Sequence, residues 1–310
     1  MKKLLGLILF LIISFLLIIM LPANNSFSKK VYIRTSINAT KRFLFIQNSW
    51  IKWWPSRLQD DLATSDKKEN DSYLYTLQNA AYTGVDIAVK KNENKFKTFA
   101  ELLQVSKDSI LVTWSFQLPG TKNPFKKISN YFYTKTLKKD PDDILKNLKA
   151  FLENKDNIYG ISIKQTIVTD TALIAKKYAS ISYPSTEVIY SLIQQLQNYI
   201  ISQNAVQINP PMLHIKYDSG VYKTMVAIPV NKEFPGNDTF LLKRMFPGKI
   251  LVTQVKGGIY TTENALRQLD TYLDDYQLTS PAIPFESLIT NRMEVHDTSK
   301  WITKVYYPIF

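Results

Sequence analysis

The sequence contains no cysteine and only two histidines, His214 and His296, among its 310 residues. Without cysteine the chain has no disulfide, no thiol nucleophile, no cysteine-ligated zinc and no lipid anchor on cysteine. Neither histidine lies in an HExxH motif or beside paired carboxylates. The sequence also lacks a glycine-rich phosphate loop and a serine-histidine-acid arrangement. We therefore predict no metal site, no cofactor and no catalytic residue.

The positive charge exceeds the negative charge, and the excess is uneven along the chain. Lysine and arginine number 39 against 26 acidic residues, a net charge of +13. Residues 28–158 carry 23 basic and 14 acidic residues, a net +9, whereas residues 159–310 carry 14 and 12, a net +2. Attraction to anionic lipid and a solvated lysine-rich surface are the two interpretations that remain open. The sequence shows no helix-turn-helix, zinc-finger or RNP motif, so we predict no nucleic-acid partner.

The longest apolar run extends from Leu4 to Leu21, 18 residues that are about long enough to cross the hydrocarbon layer of a membrane. It predicts an uncleaved transmembrane anchor, with a cleaved signal peptide as the alternative. We expect a single-pass protein of a bacterial inner membrane, with its body outside the cytoplasm. The anchor and a short tether then occupy residues 1–27.

The first half of the body alternates apolar and polar residues in four segments joined by short polar turns, which predicts an antiparallel meander. These segments cover residues 73–77, 82–89, 96–105 and 110–118. A strand over residues 31–37 and a short helix over residues 41–48 precede them, and an amphipathic helical pattern follows from Pro124. Trp50, Trp53 and Trp54 form a cluster that is typical of a core lid or a cavity mouth.

Three stretches of this half resemble the SRPBCC superfamily of START and polyketide-cyclase-like helix-grip domains. They are Ser49 to Pro55, Val112 to Phe116 and Asn147 to Glu153. The resemblance implies a helix-grip domain over residues 28–156 and a hydrophobic cavity between its sheet and its long helix.

The second half repeats one pattern of strand, helix, strand and strand. The first copy has its helix over residues 185–202, and the second has its helix over residues 262–276. Two βαββ units predict a pseudo-twofold α+β domain with a groove where the halves meet. Glu286 lies in an apolar run near this groove, where burial would raise its pKa. An ion pair between Glu286 and Lys304 would instead give the carboxylate a structural role.

The repeat resembles the effector-binding domain of AraC-type regulators and gyrase-inhibitor-like proteins over residues 159–310. The stretches that carry the resemblance are Pro284-Phe285-Glu286 and Tyr306-Tyr307-Pro308-Ile309. In that family a central glutamate among aromatic residues binds amphipathic, often cationic ligands, and Glu286 matches its position. The candidate ligand-binding residues are Glu286, Trp301, Tyr306, Tyr307, Tyr260 and Tyr178.

These features predict a membrane-anchored protein that senses or sequesters a hydrophobic or cationic small molecule around Glu286. One alternative is a hydrolase of reactive small molecules that uses Glu286 as an acid or base. The other is a lipid or hydrophobic-ligand carrier that acts through the helix-grip domain.

Overall fold

The structure, a computed structural model, describes residues 25–56, 58, 73–91, 94–118, 120–121, 123–169, 172–245 and 247–310, together with Gly6. The chain divides into two compact units, residues 1–154 and residues 155–310. The predicted anchor, Leu4 to Leu21, lies outside the described residues except for Gly6. Within the described part, no helix is both long enough and apolar enough to span a membrane.

The N-terminal unit is a five-stranded antiparallel sheet with helices. Its strands are β1 (Asn25–Ile33), β2 (Leu74–Ala81), β3 (Gly84–Lys91), β4 (Asn94–Ser106) and β5 (Ser109–Leu118). Its α-helices are α1 (Ile37–Leu44), α2 (Pro124–Leu137) and α3 (Asp140–Leu152), and a 3-10 helix covers Gln47–Lys52. The strand order is β1-β5-β4-β3-β2. Consecutive strands β2 to β5 are therefore neighbours, as a meander requires.

The first strand and helix begin earlier than the sequence predicts. Strand β1 starts at Asn25 because it pairs with β5 over its whole length, from Leu118 back to Ile110. The polar residues assigned to a tether therefore belong partly to a strand. Helix α1 starts at Ile37 because the Ser36 hydroxyl accepts the Ala39 N–H at 3.0 Å and caps the first turn.

The tryptophan cluster of this unit belongs to its core. Trp50 and Trp54 stack with ring centroids 5.2 Å apart, and Tyr75 meets Trp54 edge to face. Trp50, Trp53 and Trp54 are all buried. The Trp50 indole N–H donates to the Leu44 carbonyl oxygen at 2.8 Å, so its burial leaves no polar group unpaired.

The C-terminal unit is an eight-stranded antiparallel sheet with two long helices. Its first half contains β6 (Lys164–Ile167), β7 (Ala172–Ser180), α5 (Thr186–Ser202), β8 (Met212–Asp218) and β9 (Val221–Pro229), preceded by the short helix α4 (Lys155–Tyr159). Its second half contains β10 (Leu241–Arg244), β11 (Lys249–Lys256), α6 (Ile259–Tyr276), β12 (Phe285–Leu288) and β13 (Ile302–Ile309). A 3-10 helix covers Thr298–Lys300.

The strand order of this sheet, β10-β7-β9-β8-β12-β13-β11-β6, has pseudo-twofold symmetry. Strands β8 and β12 are neighbours at the centre of the sheet. The strands β7-β9-β8 of the first half are equivalent to β11-β13-β12 of the second. Beyond them, β10 of the second half pairs with β7, and β6 of the first half pairs with β11. The predicted α+β class with antiparallel sheets is therefore confirmed.

The two faces of this sheet differ in what covers them. The helix face carries Leu213, Val226 and Leu288, which pack in one core with the apolar side of α5. Helix α6 joins the same face through the Tyr307 hydroxyl, which donates to Asp270 Oδ1 at 2.6 Å. The opposite face, called the open face below, carries residues such as Met212 and Phe285. Adjacent residues of a strand point to opposite faces.

The strand-to-helix junction before α6 requires glycine. Gly257 has φ +139°, outside the range that L side chains favour, and an added Cβ would meet Thr261 Cγ2 at 2.6 Å. Helix α6 then begins at Ile259. Tyr260, a candidate ligand-binding residue, lies in the first turn of this helix with 73% of its surface exposed.

Candidate functional site

Glu286 lies at the centre of the C-terminal sheet. Strand β12 pairs it with Leu213 on β8 and with Val305 on β13. Its side chain points to the helix face, where Thr262 of α6 contacts the carboxylate. Only 12% of the side chain is exposed. Glu286 is therefore a nearly buried acid between the halves of the unit.

Arg292 is the basic partner of this carboxylate. Its Nη2 atom lies 3.5 Å from Glu286 Oε2 and donates to Thr303 Oγ1 at 3.0 Å. The guanidinium also lies 4.7 Å from the Trp301 ring centroid. A charge-assisted hydrogen bond is normally about 2.7 to 2.9 Å long, so the ion pair is loose. Arg292 is held by three different groups, and Glu286 is only one of them.

The segment that carries Arg292 is fixed by a tyrosine of α5. The Tyr190 hydroxyl accepts the Arg292 backbone N–H at 2.7 Å and donates to the Thr290 carbonyl oxygen at 3.1 Å. The Trp301 indole N–H donates to the Val295 carbonyl oxygen at 2.6 Å. These bonds position both the guanidinium and the ring beneath it.

Burial dominates the electrostatics of the cluster. It raises the pKa of Glu286 above its ordinary value, although the charge of Arg292 and a hydrogen bond with Thr262 lower it. Burial, followed by the negative charges of Glu286 and Glu263, also raises the pKa of Tyr183 to about 12. The charges of Glu286 and Arg292 balance when both groups are ionised, and the nearby carboxylate of Glu263 adds negative charge to their surroundings.

The other predicted ligand-binding residues do not all gather around Glu286. Trp301 adjoins it through Arg292. Tyr307 shares the helix face but is bonded to Asp270, and Tyr306 points to the open face and stacks on Phe285 with centroids 5.0 Å apart. Residues Tyr178 and Tyr260 are exposed. Lys304 pairs in register with Ser287 rather than with Glu286, so it lies on the open face.

A cavity with a volume of about 830 Å³ lies on the open face of the sheet. Its walls include Leu173, Met212, Met225, Ala227, Met245 and Phe285. Two other cavities have volumes of about 780 and 250 Å³, and Glu286 lines none of the three. Met212, Met245 and Phe285 also line the smallest one, which continues to Tyr306. The size of the large cavity is that of a small-molecule site.

Basic residues surround this apolar cavity. Lys177, Lys243, Arg244 and Lys249 line it together with His214, and none of its described lining residues is aspartate or glutamate. Burial lowers the pKa of His214, whose Nδ1 lies 2.8 Å from the Pro284 carbonyl oxygen. At neutral pH His214 is thus an uncharged part of the wall. In the described part of the chain, no group of three side chains could hold a metal ion.

The sequence contains signals for both features that our prediction missed. Arg292 follows β12 by four residues, close enough for the chain to fold back onto Glu286. Our prediction names only Lys304 as the partner of Glu286. Three of the six methionines, Met212, Met225 and Met245, line the cavity. Methionine is common in adaptable apolar binding surfaces. The concentration of methionine on β8, on β9 and directly after β10 predicts an apolar binding surface there.

The solved structures that compare with this chain are remote from it in both sequence and structure. No family model and no curated protein matches the sequence. The C-terminal domain of EcmrR is a solved structure with 13% identity and a TM-score of 0.42, covering 48% of this chain and 98% of that one. A hydrolase from Listeria innocua has 10% identity and a TM-score of 0.36, covering 47% and 92%. SAV2435 bound to tetraphenylphosphonium has 13% identity and a TM-score of 0.32, covering 48% and 94%. With TM-scores below 0.5, these likenesses support no conclusion about this chain.

Proposed function

We propose that the C-terminal unit binds a small hydrophobic molecule in the cavity on the open face of its sheet. The observation that carries the proposal is the cavity itself, about 830 Å³ with walls that are mainly apolar. Ligand sites in proteins are typically about 300 to 1,000 Å³ and mainly apolar, with a few polar groups that orient the ligand.

The wall of the cavity suits a ligand of variable shape. Met212 and Met225 come from neighbouring strands, and Met245 follows β10. Thioether side chains have three rotatable bonds and adapt to irregular apolar surfaces. Ala227, between the methionines, leaves the space that a larger side chain would fill. The site therefore favours an apolar chain or ring system over one polar substrate of fixed geometry.

Photolabelling of the full-length chain in lipid nanodiscs tests this proposal. A 16-carbon alcohol with a diazirine in its chain should label peptides that contain Met212, Met225 or Met245, and excess unreactive alcohol should compete. Ala227→Phe places a ring in the cavity and should abolish most of this labelling. Ala179→Phe, at an exposed position of β7, is the matched control and should leave it unchanged. Equal labelling of both variants would contradict the proposal.

The cluster around Glu286 supports a second candidate function, the binding of a hydrophobic cation. The buried carboxylate of Glu286, the negative charge of Glu263 nearby and the loose pair with Arg292 favour a cation that would replace the guanidinium. The Trp301 ring, which now lies under Arg292, would then contact the cation. Because Glu286 lines none of the three cavities described above, such a ligand requires the helices to move apart.

Tetraphenylphosphonium, the cation in the SAV2435 structure, is a suitable probe. If the cation binds at Glu286, it should slow hydrogen exchange in peptides covering residues 283–303. Glu286→Gln should abolish this protection, whereas Asp238→Asn, which neutralises an exposed loop carboxylate, should preserve it. Protection that survives Glu286→Gln would exclude the carboxylate as the cation's partner.

The remaining functional predictions stay proposals. A sensing or sequestering role at a membrane depends on the anchor, which lies outside the described residues. A hydrolase role for Glu286 would require its carboxylate to reach substrate past Arg292 and Thr262. A carrier role for the N-terminal unit is less favoured, because its three clustered tryptophans fill the core.

A further inference from the structure

We propose that the ligand of the open-face cavity is an anionic amphiphile, an apolar chain that ends in a carboxylate or a similar acidic head group. This inference rests on the proposed function and adds the charge of the ligand. The proposed ligand is negatively charged, whereas Glu286 would favour a positively charged one, because the two faces of the sheet present opposite charges.

Lys177 and Lys243 are the two side chains that we assign to the head group. Lys177 stands directly opposite Met225 in the pairing of β7 with β9, and Lys243 stands opposite Leu173 in the pairing of β10 with β7. Both lysines therefore project from the face that forms the apolar wall. Both are exposed, and among the described residues neither has an ion-pair partner. Their aliphatic stems can lie along the wall while the ammonium groups stay in water.

The other basic residues of the rim are less available to a head group. Arg244 is held by Glu233 in a bidentate ion pair, with distances of 2.8 and 2.6 Å. Lys249 lies at the opposite end, beside Ile309 and Ile167. An acidic head group lying over β7 and β10 would thus meet two lysines without an ion-pair partner and, among the described lining residues, no carboxylate. A cation would meet the same positive charges with no compensating partner.

Three photoreactive probes with the same 16-carbon chain and diazirine separate the charge of the ligand from its apolar part. One carries a carboxylate, one an alcohol and one a trimethylammonium group. In nanodiscs of neutral lipid, the acid should label the cavity peptides of the full-length chain about 25-fold more efficiently than the alcohol, and the trimethylammonium probe least. Each lysine near a charged group is expected to contribute roughly fivefold.

Variants then test the assigned lysines. Lys177→Gln combined with Lys243→Gln should reduce labelling by the acid to that of the alcohol and leave alcohol labelling unchanged. Lys164→Gln combined with Lys232→Gln removes two exposed lysines that do not line the cavity, and should change neither. If the acid labels no better than the alcohol, or the trimethylammonium probe labels best, the inference is wrong while the proposed function stands. If no probe labels the cavity, both are wrong.

Discussion

The buried pair of Glu286 and Arg292 gives the sharpest prediction about this protein. Replacing Arg292 with methionine keeps a long side chain on Trp301 but leaves the carboxylate without its counter-charge. At 3.5 Å and an effective dielectric constant near 20, the attraction between two unit charges is about 5 kcal/mol. Breaking a buried pair typically costs about 3 to 5 kcal/mol. We expect Arg292→Met to lower the free energy of unfolding of the C-terminal unit by that amount at pH 8.

The loss should depend on pH, with a sign that follows from the raised pKa of Glu286. A carboxyl group whose pKa is higher in the folded state than in the unfolded state stabilises the folded protein fully at pH values below its pKa in the unfolded chain, about 4.3. This contribution is lost as pH rises through its pKa in the folded state. Without Arg292 the folded pKa rises further. At pH 5 the acid can be protonated, so the loss should shrink by about 1.4 kcal/mol for each unit of the additional pKa shift.

Urea unfolding followed by hydrogen-exchange mass spectrometry measures this in the full-length chain, because peptides from residues 259–310 report on the affected unit. Adding Glu286→Gln to Arg292→Met should restore much of the stability at pH 8, since no unpaired charge then remains. Arg267→Met, at an exposed position of α6, should change stability by less than about 0.5 kcal/mol. A loss that is equal at pH 5 and pH 8, or no recovery in the double variant, would refute an electrostatic role for the pair.

Three further predictions concern other parts of the molecule. Because burial lowers the pKa of His214, the contribution of this residue to stability should fall as pH drops below about 6.5. The urea midpoint of His214→Gln should therefore change less with pH in that range. Gly257→Ala should destabilise the C-terminal unit by about 1 to 3 kcal/mol in urea, because φ is +139° and Thr261 leaves no room. Trp114→Phe removes the 2.8 Å hydrogen bond from the indole N–H to Thr98 Oγ1 and should cost the N-terminal unit about 1 to 3 kcal/mol by thermal unfolding.

Much of the fold could be predicted from periodicity. The bounds of the alternating segments in the N-terminal half agree with those of β2 to β5 within four residues, and the bounds of both long helices in the C-terminal half agree within three. The apolar faces of these helices pack against a sheet, and the spacing of the apolar side chains predicts which face of each helix is buried. Boundaries set by pairing or by special backbone conformations were less predictable. Strand β1 extends to Asn25 through its partner, and Gly257 ends β11 earlier than the pattern indicates.

The candidate site was predictable only in part, because a sequence does not reveal which residues meet across a sheet. Tyr306 and Tyr307 are adjacent and equally aromatic, yet the register of β13 sends only Tyr306 to the open face. The partner of Glu286 depends on how the loop after β12 returns. The alternation of side chains along β13 does not say which face of the sheet Lys304 occupies. Arg292 reaches the carboxylate because Tyr190 fixes the loop after β12.

Net charge is a poor guide to the ligand of such a unit. Residues 159–310 carry 14 basic and 12 acidic side chains, so their total is close to neutral. At physiological ionic strength, however, exposed charges act over only about 8 Å, so the residues nearest a cavity determine its potential. Among the described residues, four basic and no acidic side chains line the open-face cavity, whereas on the helix face the Glu286–Arg292 pair lies near the carboxylate of Glu263. A single sheet can therefore repel on one face the ions that it attracts on the other.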